Sequence, residues 1–373
     1  MKQIVKRVRA KSKIKEPQTL SDINVPDDLK TINGELFLVS NKNWKENEKV
    51  IIFCTRKKLV LLKGSPVWIM DGTFQTCPFI FAQIYSIHGL IGTGDNARAV
   101  PLVFAFLSKK SQECYVHFFT ELKRYADSIF GSNENEETED TFAPHMVLTD
   151  FELAVINAVR VVFPGTVHKC CLFQLGQNVW RRVQENGLQK RYVEDGEFSL
   201  KVRHFIALAY LPSVEIPAVF ALLKENIFPT VDPGIVEWFE INYVNGKLKS
   251  RKTDDTKLMI NRTVPLFPPE LWSVHQNNIS SLPRTQNKIE AWHKRWNSLM
   301  DNKKMGLYAT ICELKKEQAN TNVIIARMES GVPATPPRKK KRMHQEAISQ
   351  FLERRDDMDV LQFLKGIASN TFL

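Results

Sequence analysis

The sequence predicts an α/β protein: a mixed β-sheet with helices on both faces, interrupted late in the chain by an all-helical insertion. Three observations predict it. Between residues 67 and 183, strand-like apolar runs and helical periodicity alternate in the order β-β-β-α-β-α-β-α. Two of those runs, 67–70 and 146–149, end directly in an aspartate. After residue 187 the alternation stops, and helical periodicity interrupted by prolines continues to 283.

The bulk numbers fit a globular chain. It has 373 residues, 43% of them hydrophobic, enough to bury a large core. No apolar run approaches the ~18–20 residues of a membrane span. The basic N-terminus has no apolar stretch behind it, so no signal peptide is visible. The six cysteines contain no Cys-x-x-Cys pair, which argues against a four-cysteine zinc site. They are expected to be reduced, in an intracellular compartment. The net charge is +11, and its location matters more than its size. Residues 1–15 carry seven Lys and Arg without an acid, and 338–342 read Arg-Lys-Lys-Lys-Arg. The rest is close to neutral. Such segments suit nuclear import or nonspecific phosphate contact, and equally a solubilising tail.

The elements follow in order. Residues 1–18 read as a disordered basic arm and 19–66 as a small leader, with strands at 36–39 and 50–53 and a helical turn at 57–62. The first part of the core spans 67–187. It opens with Val67-Trp68-Ile69-Met70, a buried strand breaking into Asp71-Gly72-Thr73-Phe74. Strands at 81–91 and 99–107 follow, joined by Gly92-Thr93-Gly94-Asp95-Asn96, read as a hairpin loop and not a phosphate cradle. Ser111 caps a helix over 112–128, whose stripe of Tyr115, Phe118, Phe119, Leu122 and Tyr125 marks a core face. An acidic loop, 131–140, precedes the strand 146–149 and Asp150. The next helix carries Leu153, Ile156, Val159, Val162 and Phe163 inward and stops at Pro164-Gly165. A strand at 166–172 and a helix at 173–183 complete this part. The insertion covers 188–283. The last part, 284–330, opens on a helix with Ile289, Trp292, Trp296 and Leu299 inward and Glu290 three residues before His293. A further helix spans 306–328, a basic linker 331–344, and a C-terminal helix lies within 345–373.

A charge at the mouth of a buried strand is costly unless paired. The partner of Asp71 is either a divalent metal, or a nearby Lys or Arg, or the turn itself. If the strands ending in Asp71 and Asp150 are neighbours, both carboxylates reach one sheet edge, where open α/β sheets place ligands. Such a pair repels and would be held together by cations. Glu290 could add a third ligand. Three carboxylates are hard oxygen donors, suited to Mg²⁺ or Mn²⁺ and poorly suited to Zn²⁺. Two such metals about 3.5–4 Å apart would activate a water or 3′-hydroxyl and stabilise the leaving oxygen of a phosphodiester.

Asp71-Gly72-Thr73-Phe74, Thr149-Asp150-Phe151-Glu152 and Asn287-Lys288-Ile289-Glu290-Ala291-Trp292-His293 resemble three blocks of the Mutator-like element (MULE) transposases. Pro101-Leu102-Val103-Phe104 and the segment 171–181 resemble the blocks between them. The likeness runs from about residue 35 to 325. It implies an RNase H-like fold interrupted by a helical insertion, and a metal-dependent DDE site that cuts and rejoins DNA. Carried over residue by residue, the catalytic and metal-binding triad is Asp71, Asp150 and Glu290, with Mg²⁺ or Mn²⁺. The family's Cys-x-x-His block appears here as Cys171 and Gln174, and Gln replaces imidazole poorly as a soft-metal ligand or proton carrier. His168 lies three residues before Cys171. His293 either contacts DNA phosphate or bonds locally.

Arg181, Arg182, Arg284, Lys288, Lys294 and Arg295 are the expected phosphate contacts, since basic groups around a carboxylate site balance its charge. A lone Lys or Arg on a helix is more often a solvated face. No sequence-reading module is recognisable. The expected partners are transposon-end and target DNA and further copies of the chain, in the nucleus. A second reading is a transposase-derived DNA- or protein-binding protein without chemistry, and a third a nuclease that does not join ends.

Overall fold

The computed structural model describes residues 15–92, 96–131, 142–254, 257–279, 282–285, 287–301, 303–333 and 339–371. Seven strands form one mixed sheet: β1 Leu38–Lys45, β2 Glu48–Phe53, β3 Val67–Thr73, β4 Gln83–Ile91, β5 Arg98–Leu107, β6 Met146–Thr149 and β7 Val167–Cys170. Their order is β1-β2-β5-β4-β3-β6-β7. β3, β4 and β5 are antiparallel neighbours as the sequence predicts, with Asp71 opposite Ser86 and Gly72 opposite Tyr85. The strand expected at 36–39 begins instead at Leu38 and runs to Lys45, antiparallel to β2. Residues 93–95 of the Gly-x-Gly loop, 132–140 of the acidic loop and 1–14 of the basic arm lie outside the described residues.

The chain divides into two compact units. One comprises the described residues within Met1–Val147, Glu152–Val167 and Lys288–Ala334. The other comprises those within Leu148–Phe151, His168–Asn287 and Thr335–Leu373.

In the first unit, strand alternation sends side chains to two cores. Val50, Ile52, Trp68, Met70 and Tyr85 pack with Tyr115, Phe118, Phe119 and Leu122 of α2 (Gln112–Phe130) and Val155 and Val159 of α3 (Leu153–Val162). The predicted stripe of α2 is thus a core face, and Ser111 caps it by accepting the Cys114 N–H. α1 (Arg56–Lys63) is capped by Thr55 and adds Leu59 and Leu62 to the same core. Ile51, Phe53, Ile84, Phe104 and Phe106 point the other way. They pack against Trp292 and Trp296 of one helix, Asn287–Leu299, and Leu307, Ile311 and Leu314 of another, Leu307–Glu329. Helices therefore cover both faces. Glu16, at the end of the predicted basic arm, accepts the N–H groups of Tyr308 and Ala309 and caps the second of these helices.

The second unit contains α4 (Leu172–Glu185), α5 (Gln189–Glu194), α6 (Gly196–Ala207), α7 (Ile216–Asn226) and α8 (Pro233–Phe239), which runs into a π-helical turn over Glu240–Val244. An aromatic cluster holds it together: Phe205 stacks on Phe228 at 4.4 Å, and Phe239 on Tyr243 at 4.9 Å. The expectation of an all-helical insertion is corrected here. β8 (Leu248–Asp254) and β9 (Lys257–Arg262) form an antiparallel hairpin. Gly246 starts it, with φ of 73° and its Cα facing the Thr263 carbonyl, where a Cβ would lie 1.9 Å from oxygen. The short α9 (His275–Ile279) follows, and then the helix already described at Asn287–Leu299, α10; Leu307–Glu329 is α11. The C-terminal helix expected within 345–373 is two helices, α12 (Lys339–Glu353) and α13 (Val360–Asn370). Asp359 makes the break by accepting the Leu361 and Gln362 N–H groups. α12 also takes up the end of the stretch expected to be a basic linker.

Candidate active site

In β3, Trp68 and Met70 point into the α2–α3 core, so Asp71 belongs to the opposite face, the face that α10 covers. α10 is locked in rotation on this face. Trp296 Nε1 donates to Thr76 Oγ1 at 3.1 Å, Thr76 donates to Asn297 Oδ1 at 2.9 Å, and Trp292 Nε1 donates to Glu317 Oε1 at 2.7 Å. Glu290 and His293, three residues apart, lie on one flank of the helix. His293 Nδ1 approaches Asp71 Oδ2 at 3.1 Å, while Asp71 Oδ1 accepts the Gly72 N–H at 2.7 Å. Glu290 Oε1 and His293 Nε2 are buried without a hydrogen-bond partner among the described residues. Beneath them Ser86 donates to the Asp71 carbonyl at 3.4 Å and bonds His88 Nε2 at 3.0 Å. Of the two readings for His293, a DNA phosphate contact or a bond within the protein, the structure shows a protein partner, the carboxylate of Asp71.

The electrostatics follow this placement. Burial pushes the Glu290 carboxyl up, the Asp71 charge pushes it further, and His293 partly offsets both. Burial, reinforced by His293, holds His88 well below the usual imidazole range, so it is a neutral group. Glu152 ends the block Thr149-Asp150-Phe151-Glu152, and the sequence gives it no role of its own. Burial raises its carboxyl, Lys110 and the Tyr115 hydroxyl lower it, and Asp71 raises it again. Tyr115 donates to Glu152 Oε1 at 3.1 Å and lies 2.6 Å from Gln83 Nε2, which donates to it. Gly72 keeps this chain intact, because a Cβ there would come within 2.3 Å of Gln83 Oε1. The helical spacing of Tyr115 marked a core residue, and no pattern in the sequence reveals that its hydroxyl reaches Glu152.

Asp150 follows β6 directly and belongs to the second unit, half-buried. Its carbonyl accepts the Thr149 hydroxyl at 2.9 Å and the Cys170 thiol at 3.8 Å. Thr149 Oγ1 bonds His168 Nε2 at 2.7 Å, and the Cys171 N–H donates to the Thr149 carbonyl at 2.8 Å. Cys171 is buried at the start of α4, with Gln174 half-buried in the first turn. In this unit Cys171, through its main-chain N–H, and His168, through the Thr149 hydroxyl, both hold the residue that precedes Asp150.

Several basic candidates have protein partners. Arg182 pairs with Glu185 at 3.3 Å and donates to the Gly234 carbonyl. Arg284 donates to Asn278 Oδ1 at 2.9 Å, and Arg295 pairs with Glu317. Arg181 and Lys294 are exposed, Arg181 donating to Asn178 Oδ1 at 3.3 Å. The Lys288 side chain lies outside the described residues.

Among the described residues, no three of His, Cys, Asp and Glu stand close enough to hold a metal ion. Asp71 and Glu290 nonetheless have the chemistry that a hard cation relieves: oxygen donors of like charge, one with a buried oxygen lacking a partner.

Residues 67–178 match the family model for the MULE transposase domain. A search of the curated proteins found no match to this chain. Among the described residues no helix is long and apolar enough to cross a membrane.

Proposed function

We propose that this chain, which carries a MULE transposase domain over residues 67–178, is an RNase H-like DDE transposase core that cuts DNA at transposon ends and joins the freed 3′ ends to target DNA. The observation that carries the reading is that the matched segment contains Asp71 and Asp150, while Glu290, outside it, has a buried oxygen without a partner among the described residues and stands one helical turn from His293, which meets Asp71 at 3.1 Å. The strand plan supports the same reading: three antiparallel strands, then two strands reached through helices, with helices on both faces.

In this reading Asp71, Asp150 and Glu290 are the three acids of the chemistry, and Asp71 and Glu290 hold a divalent Mg²⁺ or Mn²⁺. A bound ion would supply charge neutralisation and an activated water or 3′-hydroxyl. The protein's own groups supply the rest. His293 fixes the orientation of the Asp71 carboxylate through Oδ2. The buried indoles of α10 hold Glu290 in place against the sheet. Arg181 and Lys294, exposed, meet backbone phosphates. The chain works as a homo-oligomer on paired element ends, and its two basic segments direct it to the nucleus. Gln174 in place of the family's histidine makes that block's role structural in this chain.

The test is strand transfer. Purified protein is given a labelled duplex oligonucleotide with a free 3′-hydroxyl, a plasmid and Mg²⁺ or Mn²⁺. Covalent joining of label to plasmid is the expected result. Cleavage without joining would point to a nuclease of the same fold, and neither product in either metal would leave a binding protein without chemistry.

A further inference from the structure

The connection between β3 and β4, residues 74–82, leaves the sheet three residues after Asp71 and is anchored from within. Thr76, Cys77, Pro78 and Phe81 are buried, the Cys77 N–H returns to the Phe74 carbonyl, and the Phe81 N–H donates to the Pro78 carbonyl at 2.9 Å. Thr76 is further tied to Trp296 and Asn297 of α10. A segment held this firmly nevertheless turns two phenylalanines outward. Phe74 is 44% exposed and Phe79 82% exposed, the latter the most exposed of the large hydrophobic residues described. Each ring has an ammonium over it: Lys110 Nζ lies 3.4 Å from the Phe74 centroid, and Lys304 Nζ 5.1 Å from that of Phe79. Both lysines are exposed and have an exposed lysine beside them in sequence, Lys109 and Lys303.

Exposing an aromatic ring on a rigid loop forgoes the burial that its apolar surface would otherwise gain. Two such rings, each with a mobile cation at hand, form a pattern with a use. A π-face takes an unpaired base by stacking, and an ammonium beside it takes the phosphate of the same nucleotide. A paired duplex cannot use the rings, because both faces of its bases are already stacked. A peptide partner would more often find a concave apolar pocket and a sign-matched acid.

The geometry points to Phe74 and Phe79, with Lys110 and Lys304, as a stacking platform for unpaired nucleotides of single-stranded DNA on the loop that leaves β3 after Asp71. This deepens the transposase reading and rests on it, since it names the strand state that the site holds near its chemistry. When a base takes a ring, the lysine that covered it moves to the adjoining phosphate.

The test measures binding of a fluorescein-labelled thymidine oligonucleotide, and of a duplex of equal length, by anisotropy with wild type, Phe79→Ala, Phe74→Leu and Phe79→Trp. A second readout is the quenching of 2-aminopurine placed in the single strand. Phe79→Ala and Phe74→Leu are each expected to weaken single-strand binding about tenfold and to abolish the quenching, with duplex binding unchanged. Phe79→Trp is expected to retain both. Unchanged single-strand affinity in both truncations, or equal losses for single strand and duplex, would overturn the platform while leaving DNA binding in place. Wild-type protein that binds neither probe would overturn the platform and the DNA reading together.

Discussion

At the residue scale the decisive feature is that one flank of α10 is pressed against the acid end of β3. Glu290 is held there with its carboxyl raised by burial and by Asp71, so the fold favours its protonated form. The stability this contributes is present below the unfolded glutamate value and is lost as the pH rises through the higher folded value. Glu290→Gln removes that loss, so its thermal midpoint at neutral pH is expected to exceed the wild-type midpoint in metal-free buffer. Millimolar Mn²⁺ is expected to raise the wild-type midpoint and not that of the variant. Differential scanning calorimetry reads both, and a variant less stable than wild type in chelator would contradict the crowding of charge. Glu240 shows the opposite sign. Burial alone would raise its carboxyl, but hydrogen bonds from Lys224 at 2.6 Å and from Asn245, and the charges of Lys224 and Arg262, outweigh it. That stability is present above the unfolded value of about 4.3 and lost as the pH falls through the lower folded value. Urea titrations should show Glu240→Gln costing about 1–3 kcal/mol at neutral pH and the difference closing in acid. A gap that stays constant with pH would exclude the ionic account. Asp71 was legible in the sequence because it ends an apolar strand run, whereas Glu290 stands inside a helix and was singled out by the resemblance of residues 287–293 to a transposase block. Tyr115, His88 and Glu152 were not assigned, because their contacts depend on strand register and on the facing helix, which no local pattern encodes.

At the scale of elements, strands and amphipathic helices were legible wherever apolar residues recur with period two or near 3.6. The α2 stripe and the Ser111 cap are the clearest cases. The β8–β9 hairpin was missed because its strands are rich in lysine and arginine and lack an apolar alternation. The available signal was Gly246. Its φ of 73° and its closeness to the Thr263 carbonyl leave no room for a side chain. Gly246→Ala should therefore cost at least about 2 kcal/mol, measured by chemical denaturation, and a neutral effect would mean that the turn relaxes freely. The break between α12 and α13 was hidden for another reason. A capping aspartate inside an otherwise helical run competes with the helix only when the chain has room to turn, and that is set by tertiary packing. In α10, Trp296→Ala is expected to cost about 3–5 kcal/mol, because it empties a buried indole site and leaves Thr76 without its donor. A loss under about 1 kcal/mol would show that α10 is not held by that residue.

At the scale of the whole molecule, the fold class was readable because element order constrains architecture strongly, and three antiparallel strands followed by helix-linked ones admit few sheets. The functional reading rests on the resemblance of the motif blocks, and the proposal built on it joins distant acids. Asp71 and Asp150 lie within the matched transposase domain, and Glu290 lies more than a hundred residues beyond its end. The intervening chain carries its own aromatic cluster and hairpin, so the sequence between the acids obscures their relation. The most direct measurement is nicking of a supercoiled plasmid in Mn²⁺ by wild type, Asp71→Ala, Asp150→Ala and Glu290→Ala, with a chelator control. Wild type is expected to nick only with the metal, and each variant to lose at least about a hundredfold in rate. A wild-type rate in any one variant, or nicking that persists in chelator, would contradict the assignment of these acids.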